Sequence, residues 1–130
     1  MSWKDEFKSR IIAERDWRLM EGGFPTLSGH WFASDLVTRS RISGLSLIVL
    51  MAGVGAGPAL PDGLTFRSMA GEDVEITTSI VVQMLYGIAK QEAAIWQTAQ
   101  ALLDAMQAAE NPEDIPPITG TSWPAIYTAG

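Results

Sequence analysis

The sequence contains no cysteine and a single histidine, His30. Without cysteine there is no disulfide, no thiolate zinc site and no thiol nucleophile, a composition that fits a reducing compartment. One imidazole and no thiol leave only carboxylates as metal ligands, and "EDVE" at 72–75 lacks calcium-loop spacing. No metal and no cofactor is therefore expected. Basic residues are scarce in the second half. Residues 62–130 hold only Arg67 and Lys90 against nine acids, whereas residues 1–61 hold seven Lys/Arg against six acids. The net charge of −6 disfavours nucleic-acid binding, which draws its affinity from cations on phosphate, and also basic membrane-surface helices. The charged, aromatic start offers no apolar core of a secretory signal. Long apolar runs are short of membrane length. Residues 42–61, "ISGLSLIVLMAGVGAGPALP", carry no charge, but the strongly apolar part is Leu45 to Val54 and gives way to Gly55, Gly57, Pro58 and Pro61. A spanning helix needs ~20 apolar residues. The expectation is a buried core helix with a Gly/Pro stop.

What is present is an ordinary globular composition, 47% apolar and 18% charged. The fold class it implies is mainly α with a minor β part: three helices, one of them long and heptad-like, and a small β-hairpin or antiparallel sheet. Trp3, Phe7 and Ile11 share a face of a first helix over residues 2–21, with Arg10, Glu14 and Arg18 as an i, i+4 ladder and "EGG" as its exit. "FPTLSGHWFAS" is too turn-rich for a helix, so Gly29–Ala33 reads as extended. Ser34 and Asp35 supply N-cap chemistry for a second helix over roughly 35–54. Arg39 and Arg41 lie in its early turns, badly placed for the helix dipole, and so call for acidic partners. "GLTFRSMAGEDVEIT" alternates as a hairpin near 64–76, expected to lie against the helices or to pair with the strand near His30.

The third helix, Thr78 to Glu110, carries Val81, Leu85, Ile88, Glu92, Ile95, Ala99, Leu102 and Met106 at 4-3-4-3 spacing. Its length of ~45–50 Å exceeds the width of a compact chain of this size, so part of this seam is expected to project and meet another chain. Glu92 interrupts the seam with a charge, and Arg10, Arg18, Arg39 and Arg41 are its candidate partners. Residues 1–110 thus form one globular helical domain, followed by a Pro-rich aromatic tail, 111–130, with Trp123, Ile126 and Tyr127 as anchors. The interface candidates are Val81, Leu85, Ile88, Glu92, Ile95, Leu102 and Met106 on the helix and Trp123, Ile126 and Tyr127 on the tail.

Catalysis finds little support. His30 has Ser28, Ser34 and Asp35 nearby in sequence, but no nucleophile-elbow pattern and no second histidine. "GVGAG" at 53–57 follows a helix, lacks a lysine and runs into Pro58, which spoils a phosphate loop. The cluster "GHWFASDLVTRSRISGL" reads as stitching between a short strand and a helix start.

Taken in order, "IIAERDWRLMEGG", "GHWFASDLVTRSRISGL", "LTFRSMAGEDVEITTSIVVQML" and "GIAKQEAAIWQTAQALLDAM", with "PAIY" near Trp123, resemble an uncharacterised domain family of bacteriophage and prophage tail-associated proteins. That family recurs at the C-terminal end of tail-fibre and tail-assembly proteins. The hairpin departs from the family's Trp-Lys-Thr-Met-Asp-Gly, with Phe66-Arg67-Ser68-Met69-Ala70-Gly71 here, so the turn aspartate is missing. The resemblance implies a structural or assembly protein of a tail, baseplate or tail fibre, working without catalysis. It would act through contacts with other tail proteins or with itself as a homo-oligomer, in the virion or in the host cytoplasm during assembly. It implies no nucleic-acid, membrane or small-molecule partner, and it brings no catalytic residues. The alternative expectation is a small acidic phage-encoded inhibitor of a host or defence protein, with Glu72, Asp73 and Glu75 on its acidic face.

Overall fold

The computed structural model describes residues 2–119 and 122–129. Its spine is the longest helix, α3 (Thr78–Ala108), and the rest of the chain packs along it in two halves. The fold is mainly α with minor β, as expected: α1 (Trp3–Glu21), β1 (Phe24–Pro25), β2 (Trp31–Phe32), α2 (Leu36–Gly53), β3 (Thr65–Arg67), β4 (Asp73–Glu75), α3 and a 3-10 turn at Pro112–Asp114.

Helix α1 starts where Ser2 accepts a hydrogen bond from the Asp5 N–H at 3.3 Å, with Asp5 and Glu6 at the positive end of the dipole. It runs antiparallel to α3, because Lys4 near its start reaches the Gln107 carbonyl near the end of α3. Ile11 is wholly buried, and Arg18 is buried with its Nε on Glu14 at 2.9 Å. The other end of the charge ladder is different: Arg10 lies over the Phe7 ring. Gly22 and Gly23 end the helix. Gly23 has φ +75°, and a Cβ there would strike the Met69 sulfur at 2.4 Å.

The expected extended segment is half of a hairpin. β2 pairs antiparallel with β1, Phe24 opposite Phe32, around a turn closed by Thr26 N–H on the His30 carbonyl at 2.9 Å. The hairpin β3–β4 pairs Phe66 with Val74 and forms a separate two-stranded sheet. One backbone bond, Met69 N–H to the Trp31 carbonyl at 2.8 Å, joins the two hairpins. Phe24, Phe32, Phe66 and Val74 face one another and close on Ile42, Val81 and Met84 as the first core cluster.

Helix α2 corrects the sequence reading. Asp35 caps it, and it stops at Gly53 before Gly55 in the left-handed region, as its sequence indicates. It is not a buried core helix, however: Ile42 alone is buried, with Leu45 and Val49 partly covered. The whole helix is long and apolar enough to cross a membrane by length and composition, and its outer side is open.

Helix α3 begins with Thr77 accepting from the Ile80 N–H and spans 31 residues, about 46 Å. Its C-terminal half does not project as a free seam. Ile95, Ala99 and Leu102 pack with Ile11 of α1 and with Ile118 and Trp123 of the returning tail, a second core cluster. The spine is long because it carries two cores in series. Residues 111–119 and 122–129 lie back on this body: Ile115, Ile118 and Trp123 are buried, and the Tyr127 N–H donates to the Gly22 carbonyl at 3.0 Å.

Candidate functional site

The residues first weighed for chemistry are engaged in local structure. Asp35 accepts from the Thr38 N–H at 2.8 Å, and hydrogen bonds from Thr38, its side chain and then its N–H, hold the Asp35 carboxyl below the usual range. Ser34 Oγ accepts from the Gly23 N–H at 3.1 Å, locking the end of α1 to the start of α2. Ser28 Oγ shares a hydrogen bond with Thr26 Oγ1 at 2.8 Å. The His30 ring tilts against Phe32 at a centroid distance of 6.3 Å. None of these contacts sets the imidazole between a carboxylate and a hydroxyl, the arrangement that nucleophilic catalysis uses. Among the described residues no three His, Asp or Glu side chains are grouped as a metal site.

Glu92 finds its cation in the same chain. Arg39 Nη1 donates to Glu92 Oε1 at 2.8 Å, Nε donates to the Ser34 carbonyl at 2.7 Å, and Nη2 donates to the Leu19 carbonyl at 3.0 Å. A planar guanidinium suits this because its donors diverge in fixed directions. The ring of groups around it, including Arg18, Phe24 and Ile95, leaves no water-sized cavity. The arrangement is a joint between α1, α2 and α3. Arg41 takes no carboxylate among the described residues; its guanidinium lies 3.9 Å from the Phe66 ring centroid.

The expected interface on α3 and the tail is largely internal. Val81, Ile95, Leu102, Met106 and Trp123 are buried within the chain, so they do not face a partner. Ile88 is half-buried against the first core cluster and Glu92 is tied to Arg39, while Leu85 is open on the rim. Ile126 lies against Gly22 and the Tyr127 ring lies 6.3 Å from that of Trp31. The heptad spacing was a true sign of helix packing. It marks contacts with α2 and the hairpins along the first half of α3 and with α1 and the tail along the second.

The unsatisfied surface is on α2. Leu36, Val37, Leu47, Leu50 and Val54 are each more than half exposed, with Ile48 and Met51 beside them. At 100° per residue, Leu36, Ser40, Ser43, Leu47, Leu50 and Val54 form one outward stripe, opposite the core-facing Ile42, Leu45 and Val49. The outward side is thus nearly as apolar as the inward one. Next to it, Ala56, Pro58 and Pro61 join Leu47, Ile48 and Met51 around a shallow apolar depression of about 380 Å³. A contiguous exposed apolar patch of this kind is unusual on a globular surface. The sequence carries this outward register at 4-3-4-3-4 spacing over 36–54, but the absence of charge from residue 42 onward reads equally well as an interior helix.

No curated protein and no solved structure matches the chain. One family model spans nearly all of it, from α1 to the buried Ile118. The chain belongs to that family, described as Domain of unknown function (DUF4376), whose model matches residues 4–119.

Proposed function

We propose that this chain is a non-catalytic assembly module that works by protein–protein contact through the outward face of α2. The open apolar side chains from Leu36 to Val54 carry the reading. Covering a half-exposed side chain of leucine size contributes roughly 1 kcal/mol, and seven such groups approach what association needs to offset its entropy. Depletion of charge at the centre of the patch matches the cores of stable interfaces. The setting we propose is a bacteriophage tail, baseplate or tail fibre, or its assembly in the host cytoplasm; the support is the ordered run of segments from "IIAERDWRLMEGG" to "PAIY".

The test is quantitative mass spectrometry of gradient-purified particles beside the infected-cell lysate, with wild type and with Leu47→Glu/Leu50→Glu. Wild-type chain recovered stoichiometrically in particles, or bound to tail components in the lysate, and lost from both in the variant, is the expected result. A chain found in neither place contradicts the reading.

A further inference from the structure

We propose that the groove on α3 between the turn at Pro25–Leu27 and Pro124 of the tail docks an extended segment of a partner protein, with an acidic side chain of that segment on Lys90 and an apolar one against Leu27 and Tyr86. The groove holds about 330 Å³. It lies away from the α2 contact face: Lys90 lines the groove, and Glu92, which meets Arg39 of α2, is about 200° further round α3. The inference therefore goes beyond the α2 reading and does not rest on it.

The chain's own tail shows how this side of α3 takes peptide. Thr98 Oγ1 donates to the Ser122 carbonyl at 3.2 Å, and Gln91 Nε2 donates to the Ala125 carbonyl at 2.7 Å. Seven helical residues cover ~10.5 Å, and three residues of chain reach that far only when close to fully extended. Further back along α3, Gln83 Oε1 accepts from the Ser28 N–H at 3.2 Å and holds the turn. The two glutamines fix the two walls of the groove, so it is formed before anything binds. Between them, Gly87 and Ala94 are small and leave the space open. The step of the track from Gln91 to Gln83 is ~12 Å of helix, the length of about three or four extended residues.

Charge and exposure name the occupant. Lys90 is exposed and takes no carboxylate among the described residues. Its own helix offers none, since Tyr86, Gly87, Ala93 and Ala94 stand three and four residues from it. The other cation after residue 61, Arg67, is paired with Asp73. An acidic side chain is the complement of this free ammonium in an acidic half of the chain. The apolar requirement comes from Leu27, 83% exposed, and Tyr86, 59% exposed, which line the groove together with Pro25 and Pro124. Grooves bordered by aromatic side chains suit extended backbones, which lose little entropy on docking.

The test titrates a positional-scanning library of end-capped heptapeptides against the full chain and its Lys90→Met, Tyr86→Ala and Leu47→Glu/Leu50→Glu variants, read by fluorescence anisotropy. All four substituted side chains are exposed, so each variant should keep the circular dichroism of the wild type. Pools with Asp or Glu at one position are expected to bind the wild type with a Kd of order 100 μM, about 10-fold tighter than pools with Asn or Gln there. Lys90→Met removes that preference and keeps the one for apolar side chains. Tyr86→Ala weakens every pool by about 5-fold or more. Leu47→Glu/Leu50→Glu binds as the wild type does. Pools that all bind more weakly than ~1 mM, or an acidic preference that survives Lys90→Met, overturn the proposal. Binding lost in Leu47→Glu/Leu50→Glu alone also overturns it, by moving the peptide to α2, and leaves the α2 reading standing.

Discussion

Arg39 does the work of three residues. It neutralises Glu92 and satisfies the Ser34 and Leu19 carbonyls, so α1, α2 and α3 all depend on one guanidinium. Replacing it with lysine keeps the charge and loses the diverging donors; Arg39→Lys is expected to lower stability by about 1–2 kcal/mol in urea unfolding. Arg39→Glu/Glu92→Arg is expected not to restore it, because the two carbonyls would then face an acceptor. Full rescue would show that the ion pair alone matters. That Glu92 needed an arginine was legible from a lone charge in an apolar seam, and Arg39 was one of the four possibilities. The carbonyls it also serves were not, since backbone groups left open by a helix end and a strand–helix junction have no residue-type signature. Asp35 sets a pH dependence. Its carboxyl titrates lower in the folded chain than the unfolded value near 3.9, so its stabilisation is present above that value and lost as pH falls through the folded one. Between about pH 5 and about pH 3, Asp35→Asn is expected to remove this residue's share of the fall in urea midpoint while keeping most of the cap.

At the scale of elements, the boundaries of α1, α2 and α3 were legible because Ser2, Asp35 and Thr77 each accept from a first-turn N–H and glycines follow α1 and α2. The facing of α3 was legible in part. Ile95, Ala99, Leu102 and Met106 keep the expected stripe, but towards the N-terminus the buried line moves from Leu85 to Met84 and Gly87. Gly87 explains the shift. A Cβ there would lie 2.5 Å from the Pro25 carbonyl oxygen and 3.2 Å from Phe24, so α3 approaches β1 through the only side that lets a backbone in. Gly87→Ala is therefore expected to destabilise by about 1–3 kcal/mol despite the better helix former, measured by urea unfolding. β1 itself was missed because two residues, one of them Pro25, carry no alternation. α2 departs from its sequence reading for a different reason: apolar residues lie on both sides of this helix, and periodicity alone does not say which side meets the core.

For the whole molecule, the last residues are structural. Trp123 is buried beneath the Arg18 guanidinium, and its indole N–H donates to the Ile118 carbonyl. Trp123→Ala is expected to cost ~3–5 kcal/mol, enough to lower the thermal midpoint well below that of the wild type. An unchanged midpoint would return 111–130 to the status of a free tail. The tail's aromatic anchors were legible, but whether they dock on this body or another depends on the shape of the groove between α1 and α3. The most direct measurement of the account's central claim is hydroxyl-radical footprinting of the full chain, purified and in the infected-cell lysate. Leu47, Leu50 and Met51 on α2 should be protected in the lysate, while Trp17 and Trp96, exposed elsewhere, react equally in both. Equal reactivity of the α2 side chains in the two settings would contradict it.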